Sequence, residues 1–562
     1  MAQLNLDVIE HIIAEVCTFD SKDRQVTLRS LGLVSREFNF VSRPQLFSLV
    51  KWPHPLKHDS EVGLHFFPEC LWPHFKTFIL DWPDYWPDLS PPAWGTIHQV
   101  EGYLPKQLDK LEKALPLMSR LHTFQMTCPF YPPKSFMLAI VGCSTIKDLR
   151  VLDTPIKAGL SPSTLPSAFN LDRLSFVPVG ETNRVGEGPF DKKYHDIVYY
   201  TRSYRKRHST DTSNGGFFPR IMPGWALVNI FCLAKPESLK YIQISGSYCS
   251  LHDFNGTWWP NLETLVLTGP EAIPDSTNLA DVVGRMPKLW DLRVLFNKAL
   301  ASPARNIHSN QRPCFRIVEP GRDAEYAARS VQHVSEPTVF GQIKYFAASN
   351  VCSLDSAFKY FTSLEGLALI AVINHPRVPI ARGEEETRSL LADLETTGSG
   401  KRLKVLRVMV ECGITPSLIS KLGTVCPLLE NLEVEICGYR DGPSDLYMDM
   451  TEEWANALQK YQHIEQLRVG MVFCQHDDVE LDYDTEILQQ REDRIECAKY
   501  LSSRAPTLRR IGFQYRMRTG SHRYEDRWLD FDIKRLSDGT IDLHEIQPSW
   551  YPFPEVWKHV PL

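Results

Sequence analysis

The sequence GSGKR, residues 398–402, is this chain's nearest approach to a phosphate-cradling loop. A nucleotide-binding loop of this kind needs a glycine five residues before Gly400 and a hydroxyl after the lysine to reach magnesium. Glu395 and Arg402 stand at those two places, so the stretch predicts a turn or linker. His476, Asp477 and Asp478, followed by VELDYDTE, gather enough acid to suggest a metal cluster. Contiguous acids in a polar stretch are more often simply solvated. Asn255-Gly-Thr satisfies a glycosylation triplet, which carries meaning only behind a secretory signal.

RSYRKRHS sets Arg202, Arg205, Lys206, Arg207 and His208 beside Tyr199, Tyr200 and Tyr204. That composition suits a nuclear import signal, a nucleic-acid contact or a phosphate-binding loop. A solvated loop is the better reading, because the chain's formal net charge is -6 and nothing global favours a polyanion. No nucleophile stands beside a base in any supporting context, so the sequence predicts a non-enzyme with no cofactor and no metal.

Stepping outward from these residues, 562 positions with 43% hydrophobic and 23% charged residues describe an ordinary globular composition. Thirteen cysteines include no C-x-x-C pair, which favours reduced thiols over disulfides or a zinc site. The N-terminus holds Asp7, Glu10 and Glu15 without a cationic lead and does not read as a signal peptide. No apolar run reaches the roughly 18 residues needed to span a bilayer. These features predict a soluble protein of the cytoplasm, the nucleus or both.

One hexamer, apolar-x-x-apolar-x-apolar, dominates the rest of the chain. It appears as FKTFIL at Phe75, LHTFQM at Leu121, IKDLRV at Ile146, LDRLSF at Leu171, LKYIQI at Leu239, LETLVL at Leu262 and LWDLRV at Leu289. It continues as IKYFAA at Ile343, LEGLAL at Leu364, LKVLRV at Leu403, LENLEV at Leu429, IEQLRV at Ile464 and LRRIGF at Leu508. Several successive starts lie 21 to 27 residues apart, and an amphipathic helical stretch precedes most of them. Alternation at the end of each hexamer makes a short strand with one apolar face. A helix plus such a strand cannot cover its own apolar surface, so the units must stack into an α/β solenoid with parallel strands on one side and helices on the other. Ordinary βα units of a doubly wound sheet are the alternative, but the strands are too short and too numerous for it.

Ahead of the hexamers, Val8, Ile9, Ile12, Ile13 and Val16 fall at helical spacing behind Asn5. A second helix is predicted over Val26–Ser35 and a third over Arg43–Val50, with Pro44 near its start. The boundaries read from sequence are a helical module over 1–52, a linker over 53–72 and a repeat solenoid over 73–547. Insertions interrupt the solenoid near 177–223, 299–337 and 374–400, and a proline- and tryptophan-rich tail, 548–562, is predicted to cap its open end.

The repeats resemble irregular leucine-rich repeats, although the asparagine or cysteine usual after the strand has one clear occupant, Cys437. Residues 4–50 resemble an F-box, with Leu4 at its leading leucine, Asn5 in place of its proline, and Val8, Ile9, Ile12 and Ile13 on its first helix. Leu33, Val34, Ser35 and Arg36 match its valine-serine-arginine core, Phe38 stands where tryptophan is common, and Leu46 with Phe47 match its closing pair. The resemblance implies a substrate receptor that holds a Skp-type adaptor and thereby joins a cullin-RING ubiquitin ligase core, while the repeats present a protein substrate. It places adaptor contacts at Leu4, Val8, Ile9, Ile12, Leu33, Val34, Phe38 and Leu46. The competing reading is a repeat scaffold, unconnected to any ligase, whose N-terminal helices only cap the solenoid. That reading expects Leu33, Val34 and Phe38 to be buried against the first repeats near Phe75, whereas an F-box leaves several of them facing outward.

Overall fold

The computed structural model describes residues 6–18, 21–53, 66–81, 108–127, 132–152, 154, 170–177, 235–246, 249, 251–270, 277–298, 317–318, 339–349, 357–370, 384–410, 414–436, 451–470, 483–520 and 523–546. The chain divides into two compact units, the first over 1–182 and 197–244 and the second over 183–196 and 245–562.

The first unit opens with three helices, α1 (Leu6–Val16), α2 (Ser21–Gly32) and α3 (Arg36–Leu46). Ile9, Ile13 and Val16 from α1, Leu28 from α2 and Phe38 from α3 form one buried cluster. Helix boundaries differ from those read in sequence. Ser35, taken as the end of the second helix, instead caps the third, its extended backbone letting Oγ accept a hydrogen bond from the Phe38 N–H at 3.3 Å. Pro44 therefore lies in the last turn of α3, and the helix stops two residues later. Replacing Ser35 with alanine is expected to destabilise the helical module by about 1 kcal/mol, read from a shifted thermal or urea midpoint.

Strands follow at once: β1 (Leu49–Pro53), β2 (Thr77–Asp81), β3 (Thr123–Thr127), β4 (Asp148–Leu152), β5 (Arg173–Val177) and β6 (Tyr241–Ser245). Each pairs parallel with the next, in sequence order. Aromatic rings fill the core beneath the first three strands, where Phe78 stacks on Phe124 with centroids 5.9 Å apart and Trp52 lies 4.9 Å from Phe66. A 3-10 turn over Glu69–His74 packs against α3. Burial together with the neighbouring Arg120 and Arg43 cations holds the His74 imidazole below its ordinary pKa.

In the second unit the strands are β7 (Thr264–Pro270), β8 (Asp291–Lys298), β9 (Tyr345–Ser349), β10 (Gly366–Ile370), β11 (Val405–Val410), β12 (Asn431–Ile436), β13 (Gln466–Val469) and β14 (Arg510–Gly520). These also run parallel in sequence order. Helices over Glu384–Thr397, Pro416–Val425, Thr451–Leu458 and Tyr483–Arg504 supply connections between strands. The parallel run then gives way to an antiparallel meander, β14 to β15 (Arg523–Arg535) to β16 (Ile541–Ile546). The repeat reading had not anticipated this change. The second hairpin of this meander, β15 to β16, turns through Asp538-Gly539, where Gly539 takes φ +83 and the Asp538 carboxylate accepts from the Thr540 N–H and hydroxyl. A turn that tight leaves no room for a crossover helix, so the strands must run antiparallel.

The hexamer is what builds both arrays. Its leading residue lies two positions before each strand and is fully buried, as at Leu121, Leu262 and Leu403, all 0% exposed. Alternate strand residues such as Leu149 and Val151 join the same core, leaving Asp148 and Arg150 on the other face. Successive strands are tied at their entries by shared carbonyls: in the first unit Ser48 O accepts from the N–H groups of Lys76 and Thr77 and Lys76 O from those of His122 and Thr123, and in the second Glu465 O accepts from those of Arg509 and Arg510. Within each unit this gives α/β, solenoid-like stacking of helices and parallel strands.

Candidate functional site

The residues singled out in the N-terminal module sort into two groups once its core is formed. Ile9 and Phe38 lie inside, at 2% and 5% exposure, and Ile12 and Leu46 pack partly buried against the same cluster. Val8, Leu33 and Val34 face solvent, the latter two at 88% and 68% exposure. Leu4 lies outside the described residues.

Leu33 and Val34 stand out because of where the backbone puts them. They occupy the turn between α2 and α3, where the Leu33 N–H donates to Ser30 O and the Val34 N–H to Leu31 O. Gly32 ends α2 and Ser35 caps α3, so only these two residues bridge the helices. Their side chains have no place in the cluster beneath. Glu37, in the first turn of α3, has its carboxyl held below the usual carboxylate range by the Ser35 hydroxyl and its own backbone.

Seven of the eleven large hydrophobics exposed among the described residues belong to the first fifty: Leu6, Val8, Val26, Leu33, Val34, Phe40 and Leu49. Leu6, Val26, Phe40 and Leu49 were not picked out from sequence. For Val8 the helical period accounts for it, since Ile9, Ile13 and Val16 form the inner face of α1 and Val8 points away from it, whereas Leu6 shares their face and is exposed at the first residue of the helix. Phe40 likewise lies two residues from buried Phe38, on another side of α3.

The strand surface opposite the core carries charge. On β8, Arg293 grips Asp291 through Nε at 2.9 Å and Nη2 at 2.7 Å, both side chains being buried. Farther along, Glu433 lies between Arg407, 2.7 Å away, and Arg468, 3.3 Å away, and Arg468 also binds Asp530 through two hydrogen bonds. Burial pushes the Glu433 carboxyl up against the opposing pull of the two guanidiniums. Tyr345 beside Glu365 is pushed up to about 12 by burial and the nearby carboxylate. These arrangements are structural ion pairs on a sheet face, without a nucleophile held by a base.

Of the other stretches weighed from sequence, His476–Asp478 and the basic run at 202–208 lie outside the described residues. Ser399–Arg402 forms a short 3-10 helix after Gly398, whose φ of 69 suits glycine, and Gly400 packs against Val425 too closely for a Cβ. No helix among the described residues is long and apolar enough to cross a membrane. No protein-family model and no curated protein matches the chain.

Proposed function

We propose that this protein is the substrate-recognition subunit of an SCF-type ubiquitin ligase, a non-catalytic F-box protein with irregular leucine-rich repeats acting in the cytoplasm, the nucleus or both. The N-terminal helices would hold a Skp-type adaptor, and the strand array would hold the protein to be modified. What carries the reading is the exposure of Leu33 and Val34 on a module whose own core is already complete. An apolar turn that its own fold leaves in water gains most by burial against another protein.

Mechanistically the chain would act by proximity. Holding a substrate lysine near a charged conjugating enzyme raises its effective concentration, and no catalytic group of the receptor's own is required. The test is co-purification of the full chain with a Skp-type adaptor: stoichiometric association is expected, and its absence would overturn the ligase reading.

A second reading, a repeat scaffold capped by these helices, draws support from β1, which begins three residues after α3 and pairs directly with β2. Its expectation that Leu33 and Val34 are buried against the first repeats is not met, since both are exposed. On this reading removing α1 to α3 would unravel the first strands, and no adaptor would bind.

A further inference from the structure

Ion pairs line the strand surface, and in the first unit one of them joins its cation to the carboxylate without a hydrogen bond. On β4, Arg150 binds Asp148 two residues earlier, through Nε at 3.1 Å and Nη2 at 2.7 Å, as Arg293 binds Asp291 on β8. What β8 lacks is a second cation alongside. On β5, Arg173 is paired in register with Asp148, but its Nε lies 3.8 Å from Asp148 Oδ1, beyond hydrogen-bond distance.

Arg173 is held elsewhere. Its guanidinium carbon sits 3.8 Å over the centre of the Tyr241 ring on β6, which fixes the plane of the group. In that position Nε and Nη2 are buried with no hydrogen-bond acceptor, while the side chain keeps about a quarter of its surface open, 23%. Next to it in register with Arg150 stands Ser175, 0% exposed, whose Oγ also has no partner. The flanking register positions, Thr123, Gln125, Tyr241 and Gln243, carry no charge. Two guanidiniums therefore share one carboxylate, and three buried polar atoms are unmatched.

Buried guanidinium donors left unmet are costly in the free protein, and an oxyanion that can take two parallel hydrogen bonds is the group that satisfies such a fork. We propose that Arg173, with Ser175 and Arg150, forms an oxyanion subsite for a carboxylate or phosphate on the protein segment this surface recognises. This rests on the substrate-receptor reading for its physiological ligand, although the subsite itself does not depend on the adaptor.

Isothermal titration of the full chain with inorganic phosphate, and separately with acetate, tests it at matched ionic strength. Saturable binding of at least one anion is expected, weakened at least tenfold in Arg173→Gln and severalfold in Ser175→Ala. Arg173→Lys keeps the charge without the fork and is expected to bind weakly too, which guards against a Gln variant that fails to fold. A response to phosphate alone assigns a phosphorylated segment, and a response to acetate assigns an acidic one. If neither anion binds the wild type, or if Arg173→Gln and Arg173→Lys bind as well as the wild type, the subsite is wrong. Loss of adaptor association with anion binding intact would overturn only the ligase reading.

Discussion

Changing Leu33 and Val34 together to glutamate is expected to abolish co-purification with a Skp-type adaptor while leaving the melting transition nearly unmoved. Both side chains already face water, at 88% and 68% exposure, so charging them removes no contact from the module's core. Surface changes of this kind usually shift stability by no more than about 0.5 kcal/mol. On the bound side, two apolar anchors at about 1 to 3 kcal/mol each, plus the cost of desolvating two carboxylates, amount to an affinity loss of at least about 100-fold. Phe38→Ala is the informative companion. That ring, 5% exposed, packs with Ile9, Ile13, Val16 and Leu28, and its loss is expected to cost about 3 to 5 kcal/mol of module stability. Adaptor binding would then fall through unfolding, visible as lost helical circular dichroism. If the double glutamate variant binds like the wild type, the turn between α2 and α3 is not the contact, whatever else the chain binds.

Much of the repeat architecture could be read from the hexamers alone, because a core position that recurs with fixed local spacing writes itself into sequence. Phe75, Leu121 and Leu508 each lead a strand, as the pattern requires. One strand escaped for an instructive reason. Phe47-Ser-Leu-Val50-Lys-Trp52 fits the same pattern, yet it follows helical apolar residues without a break, so Val50 was read as the end of a helix. In the fold Val50 and Trp52 are buried strand residues of β1. The helix ends differ because apolar spacing places helices without marking their caps, and it is the cap of Ser35 to Phe38 that decides where α3 starts. What could not be read at all is chemistry created by register. Arg173 and Tyr241 meet across neighbouring strands although 174–240 intervene in sequence, and no local spacing announces that contact.

Register also explains a stability effect of the same size expected in the second unit, at Arg468. This residue on β13 faces Gly512 on β14, and Gly512 in turn faces Asp530 on β15, so the ion pair between Arg468 and Asp530 reaches across an intervening strand. It can do so only because position 512 has no side chain: a Cβ there would lie 2.1 Å from Asp530 Oδ1 and 3.0 Å from Arg468 Cγ. Arg468 also satisfies Glu433, and all three charges are nearly inaccessible, at 8%, 0% and 6% side-chain exposure for Arg468, Asp530 and Glu433. Arg468→Met keeps much of the volume but strands the Asp530 carboxylate in a poorly solvated place and leaves Glu433 with Arg407 alone. Breaking a buried pair from one side costs about 3 to 5 kcal/mol, since the abandoned charge pays its full desolvation. The Glu433 carboxyl, already raised by burial, would lose one of the two cations that oppose that rise, so the deficit should shrink as pH falls toward the carboxylate range. The sign follows because a raised carboxyl pKa in the folded state makes folding take up protons. Urea midpoints for the wild type and Arg468→Met at neutral pH and near pH 5 measure this directly. Gly512→Ala should reproduce much of the neutral-pH loss by forcing the pair apart, and an Arg468→Met chain as stable as the wild type would mean that the row is solvated and holds nothing together.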